Sequence, residues 1–163
     1  MQTLLFYASA LAMIFLTRII GKKWHFGYFA GGLAFGIYNE ICFEFCWTYS
    51  PLLKPMVWKH VPLLVILGWS IYTALALVLS DLIVKLTQGN NRWVRKGLDV
   101  AFFFAIGYPL EVIMSHLGLW KYNFPIQGEL WMQMFGYFFV GILVSSAGRA
   151  FQRLLDKRSA RIS

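Results

Sequence analysis

Hydrophobic positions in this chain neither alternate nor keep to one helical face. They come in five long apolar runs, at about 3–20, 26–49, 61–84, 98–119 and 130–147, separated by short polar clusters. An α-helix needs roughly 20 apolar residues to cross about 30 Å of hydrocarbon. The pattern therefore predicts an all-α integral membrane protein with five transmembrane helices. The polar clusters set its direction. Arg18, Lys22 and Lys23 follow the first run. Lys85, Arg92, Arg95 and Lys96 separate the third and fourth, and Arg149, Arg153, Lys157, Arg158 and Arg161 follow the fifth. Of the 15 basic residues, only Lys54, Lys59 and Lys121 fall on the other side. Cytoplasmic loops carry the excess of Lys and Arg, which puts the N-terminus outside and the C-terminus inside.

Composition narrows the class. The chain has 163 residues, of which 59% are hydrophobic and 13% charged, against about 25% charged in a soluble domain. Disorder, a disulfide scaffold and a soluble nucleic-acid binder are excluded, and no nucleic-acid partner is expected. The net charge of +8 reads as topology signal and affinity for anionic lipid. Residues 1–163 are expected to form a single transmembrane helical bundle, lodged in a bacterial inner (plasma) membrane. The basic tail 149–163, with Phe151, Leu154 and Leu155 at helical spacing, is expected to lie on the headgroups.

The second and third spans leave the cytoplasmic side and return, and the fourth and fifth do the same. Both hairpins carry a similar order of residues. Tyr38 and Glu40 precede Trp47-Thr48-Tyr49, with Gly68-Trp69 in the next helix. Tyr108 and Glu111 precede Trp120-Lys121-Tyr122, with Gly136-Tyr137 in the next helix. The pattern suggests a tandem repeat about an axis along the membrane normal, with Glu40 and Glu111 facing each other at one depth.

Glu40, Glu44 and Glu111 are the candidate chemistry, because each falls inside an apolar run. An acidic group at a helix centre costs roughly 2.5–3.5 kcal/mol on insertion scales, and intramembrane carboxylates mark functional sites by default. Glu40 and Glu44 are four apart and share a helical face with Gly32 and Gly36. Two carboxylates one turn apart in a dry site cannot easily both ionise, which leaves a proton donor beside an acceptor. A structural role, pinning the bundle through Asn39, Tyr and Trp partners, is the competing reading. Asp81, Asp99 and Asp156 lie among basic residues and read as surface pairs, Asp81 with Lys85. No His or Cys arrangement suggests a metal, and no cofactor is expected. Asn39, Trp47, Trp69, Tyr72, Tyr108, Trp120 and Tyr137 are the candidate substrate-binding residues. Facing inward they form an apolar pocket whose π-faces stabilise positive charge. Trp47, Tyr49, Trp120 and Tyr122 also fit the aromatic belt at the outer interface.

Glu40 with Trp47-Thr48-Tyr49, then Val61-Pro62-Leu63-Leu64 running to Gly68-Trp69, resembles the small membrane carotenoid enzymes, both the hydratase type and the heterodimeric lycopene cyclase type. Leu98-Asp99, Glu111 and Leu117-Gly118-Leu119-Trp120-Lys121-Tyr122 are similar to their second half. Glu44-Phe45-Cys46-Trp47 is faintly similar to the emopamil-binding sterol isomerases and the membrane terpene cyclases. The resemblance implies an enzyme that protonates an isoprenoid C=C bond, with Glu40 and Glu111 as its acids, so that cyclisation, hydration or isomerisation follows. Two other classes stay open. One is a non-catalytic membrane subunit or lipid-binding module, and the other a small proton-coupled carrier. The expected partners are a lipid-soluble substrate, membrane lipids, and further copies or other subunits in a homo- or hetero-oligomer.

Overall fold

The computed structural model describes residues 2–87, 91–123 and 129–161. The helices among them are α1 (Gln2–Gly21), α2 (Phe26–Cys42), α3 (Leu63–Leu86), α4 (Arg92–His116) and α5 (Glu129–Ser159). All but α2 are long and apolar enough to cross a membrane. With 17 residues, α2 reaches about 25 Å at 1.5 Å per residue. Leu4, Leu5, Ile19, Phe135 and Phe139 point outward and are at least 60% exposed. Lipid tails solvate such rows, whereas water does not.

Glycines decide how the helices pack. A Cβ at Gly32 or Gly36 would lie 2.7 Å from atoms of Trp69 on α3, and one at Gly31 would lie 2.5 Å from the backbone of Gly148 on α5. Two glycine faces on α2 thus let α3 and α5 approach from different sides. In turn α4 packs on α3 and α5, which closes a ring of four helices. Outside the ring, α1 rests mainly against α3. Trp69, Tyr72, Ala76, Phe103 and Val144 form the buried centre.

The second apolar run does not stay helical to Tyr49. The helix stops at Cys42, a 3-10 turn spans Glu44–Cys46, and Trp47–Tyr49 is a short strand, β1. Two more short strands, β2 (Met56–Trp58) and β3 (Val61–Pro62), pair in the same connection between α2 and α3. Aromatic and β-branched residues favour a strand once a partner exists, and the partner is β4 (Trp120–Tyr122). The two pair antiparallel, Thr48 opposite Lys121, Trp47 opposite Tyr122 and Tyr49 opposite Trp120. The Ser50 N–H donates to the Leu119 carbonyl at 2.8 Å and the Asn123 N–H to the Cys46 carbonyl at 2.9 Å, extending the ladder at both ends. Apolar content alone cannot separate such a strand from one more helical turn.

The end of the bundle opposite the strands departs from expectation in another way. Instead of ending near residue 147, α5 continues to Ser159, and Arg149 turns into the bundle rather than joining a surface tail. Its guanidinium forks onto Asp99, Nη2 to Oδ1 at 2.6 Å and Nε to Oδ2 at 3.0 Å, while Nη1 reaches Asp81 Oδ1 at 2.6 Å. Tyr28 donates to Asp81 at 2.6 Å, and the guanidinium lies over its ring. Asp81 and Asp99 are therefore not surface pairs. They join α2, α3, α4 and α5 through one arginine, and Asp99 is only 4% exposed. Beside this node, His25 stacks on Tyr28. Burial, with Lys23 adding to it, holds the His25 imidazole below its ordinary value. From Arg153 onward the helix surface is exposed and basic, as the sequence suggests.

Candidate active site

A partly open cavity of about 560 Å³ lies between the ring helices and α1, beside the β1–β4 strands, within the range of drug-sized ligand pockets. Glu40 enters from α2 and Glu111 from α4, and both face this space. Glu40 is 1% exposed and Glu111 9%.

Each carboxylate is held by donors from its own hairpin. Glu40 Oε2 accepts from the Tyr49 hydroxyl at 2.5 Å and the Trp47 indole at 3.0 Å. Its Oε1 accepts from the Trp69 indole at 2.8 Å and, at 3.5 Å, from the Asn39 amide. Glu111 Oε1 accepts from the Trp120 indole at 2.6 Å and the Tyr122 hydroxyl at 3.0 Å, and its Oε2 from the Tyr137 hydroxyl at 2.9 Å. The two cages correspond. In each, a strand supplies Trp and Tyr two residues apart, on one face of the pleat, and the following helix supplies a third donor. Burial, followed by the negative charge of Glu40, holds the Tyr49 phenol well above its ordinary value, so it remains a donor.

No Lys, Arg or His lines the cavity among the described residues, so neither carboxylate has a basic partner there. The other walls are apolar or aromatic, with Tyr72, Leu64, Ile106, Leu110 and Val140 among them. From α1 come Phe6, Ala10 and Met13. Among the described residues, no group of three or more His, Cys, Asp or Glu could hold a metal ion. The site sets two hydrogen-bonded carboxylates in a mostly apolar, aromatic-lined space.

Of the residues singled out by sequence, Asn39, Glu40, Trp47, Trp69, Tyr72, Glu111, Trp120 and Tyr137 meet at this cavity. Two do not. Glu44 lies on the 3-10 turn beyond the end of α2 and pairs with Lys59 in the connection to α3. The shared face with Glu40 needs a continuous helix, and the helix has ended. The two carboxylates that share the cavity are therefore Glu40 and Glu111 rather than Glu40 and Glu44. Tyr108 stacks on Phe104, with ring centroids 5.2 Å apart, and is not part of the cavity wall. The sequence marks Tyr49 and Tyr122 only as belt residues, yet both hydroxyls bind carboxylates. The signal for them is the Trp-x-Tyr spacing that recurs after each glutamate. The α1 wall has no sequence signal beyond apolarity.

Comparison of the chain with known protein families, with curated proteins and with solved structures finds no match in any of the three.

Proposed function

We propose that the protein is a membrane-embedded enzyme that acts on a lipid-soluble isoprenoid by carboxylate acid–base chemistry at a C=C bond. The observation that carries this is the pair of carboxylates, each caged by indole and phenol donors without a cation, on one apolar aromatic cavity. Protonation of an alkene uses the π pair to form a C–H bond and leaves a carbocation on the neighbouring carbon. The ionised carboxylate and the aromatic faces stabilise that charge. Loss of an adjacent proton to the second carboxylate gives an isomerised or cyclised alkene. Capture by water, with loss of its proton, gives an alcohol. No redox step occurs, and the chemistry draws only on the two acids and solvent.

In this reading all five helices lie in a bilayer, a bacterial inner membrane, with the N-terminus outside. The corresponding cages and the reciprocal β1–β4 pairing support a tandem repeat of α2–α3 and α4–α5. Topology is tested by reporter fusions. A fusion at the C-terminus should be active only in the cytoplasm, and activity on the outer face overturns the orientation.

The chemistry is tested in D2O, with the protein in liposomes and linear isoprenoids such as squalene or lycopene supplied in the bilayer. Enzymatic protonation places deuterium on carbon, read by mass spectrometry. Wild-type protein that gives no carbon-bound deuterium and no product from any isoprenoid offered counts against the enzyme. It favours the second reading, a non-catalytic lipid-binding or partner subunit, which rests on every carboxylate oxygen having a protein donor.

A further inference from the structure

Glycines in the helical ring differ in what surrounds them, and at Gly141 an added Cβ would come within 3.1 Å of Phe103. At Gly27, Gly31, Gly32, Gly36, Gly107 and Gly148 an added Cβ would come within 2.2–2.7 Å of a neighbouring helix, so packing accounts for them. At Gly68 on α3 and Gly136 on α5 an added Cβ would meet nothing within 4 Å. Glycine weakens a helix interior relative to alanine, and packing does not call for it at either position. Both residues line the cavity. Each also stands just before the helix residue that binds a carboxylate, Gly68 before Trp69 and Gly136 before Tyr137. Among the described residues no atom lies within 4 Å of a Cβ built at either glycine, and both glycines share the cavity with the two acids.

We propose that Gly68 and Gly136 are paired seats for the substrate, which is a neutral, elongated hydrocarbon lying across both with a C=C bond against Glu40 and Glu111. This rests on the reading of the cavity as a substrate site. Elongation follows from two equivalent seats on different helices, and from walls that continue to Phe6, Ala10 and Met13 of α1. Beyond α1 lies the lipid-facing surface, so a chain longer than the cavity runs outward on that side. Neutrality follows from the walls. With no Lys, Arg or His among the described lining residues, a prenyl diphosphate headgroup finds no counter-charge and meets two carboxylates instead. The seats also set specificity, because a side chain there starts from a Cβ that meets no described protein atom and extends into ligand volume.

The test compares wild type with Gly68→Ala, Gly68→Leu, Gly136→Ala and Gly136→Leu, with Gly97→Leu as control. Gly97 also has open space around it, but it lies outside the cavity. Purified proteins are loaded with squalene, lycopene or geranylgeranyl diphosphate, and the ligand retained after gel filtration is measured beside Tm in detergent. Wild type and the Gly97 variant should retain squalene or lycopene and not the diphosphate. Each Leu variant should retain about tenfold less or worse, and each Ala variant an intermediate amount, with Tm unchanged or raised. If a Leu variant fails to fold, the Ala variants and their double combination decide. Retention by the seat variants equal to wild type overturns the seats while the enzymatic reading stands. Preference of wild type for the diphosphate overturns the neutral hydrocarbon and leaves an isoprenoid substrate standing, whereas retention of no probe overturns the isoprenoid reading as well.

Discussion

Glu111→Gln should lower turnover by about 10²–10⁴-fold, the usual contribution of a positioned acid or base, while leaving the Tm in detergent nearly unchanged. Glutamine keeps the shape of glutamate and cannot exchange a proton near neutrality. It also brings an NH2 group, which needs an acceptor. At Glu111 that group can take the place of Oε2, facing the Tyr137 hydroxyl, and a hydroxyl can turn round and accept. Glu40 behaves differently. An indole N–H faces each of its oxygens, Trp69 at Oε1 and Trp47 at Oε2, and an indole can only donate. In the Glu40→Gln variant, either orientation of the amide sets its NH2 against an indole N–H, at a cost of about 1–3 kcal/mol. That variant should therefore lose a similar amount of turnover and also several degrees of Tm. Full activity in both variants would end the catalytic reading and leave the cages as bundle supports.

The second large effect lies at the Arg149 node. Arg149→Met should destabilise the bundle by about 3–5 kcal/mol, because it leaves the buried Asp99 carboxylate without its partner. Asp81→Asn should cost less. Asp81 is more exposed than Asp99, and its other partner, Tyr28, can still donate to the remaining amide oxygen. Adding Asp99→Leu to Arg149→Met should recover much of the loss, since a buried pair replaced by apolar residues is often neutral. Unfolding in detergent, followed by circular dichroism, measures all of these. A silent Arg149→Met variant would show that glycine packing alone closes the ring.

Sequence made the long apolar helices legible because length and apolarity are one-dimensional properties. The cavity acids were legible for a related reason. Glu40 and Glu111 stand out against their apolar runs, and the aromatics that hold them recur at fixed spacing. Glu44 stands out equally, and nothing local to residues 40–49 reveals that the helix ends between the two glutamates. That ending depends on β4, some seventy residues further on. Arg149 was hidden by its neighbours. Among Arg153, Lys157 and Arg158 it looks like one more headgroup ligand, and only the packing of α5 on α2 and α4 turns it inward. Tyr49 and Tyr122 show the same limit, since an interfacial tyrosine and a carboxylate ligand have the same sequence signature.

The β1–β4 ladder also bears on how such a chain can be assembled. Every position in it sets tryptophan against tyrosine, or the two central residues against each other. Trp47-Thr48-Tyr49 opposite a second copy of itself would give the same opposition, with Thr48 meeting Thr48 on the axis. The edge is thus self-complementary, the property that defines an isologous contact between identical subunits. A lone hairpin of α2, β1 and α3 carries one acid, its Trp and Tyr clamps and one seat glycine. Two such hairpins, joined by their strands, hold the full set of parts that the single chain brings together.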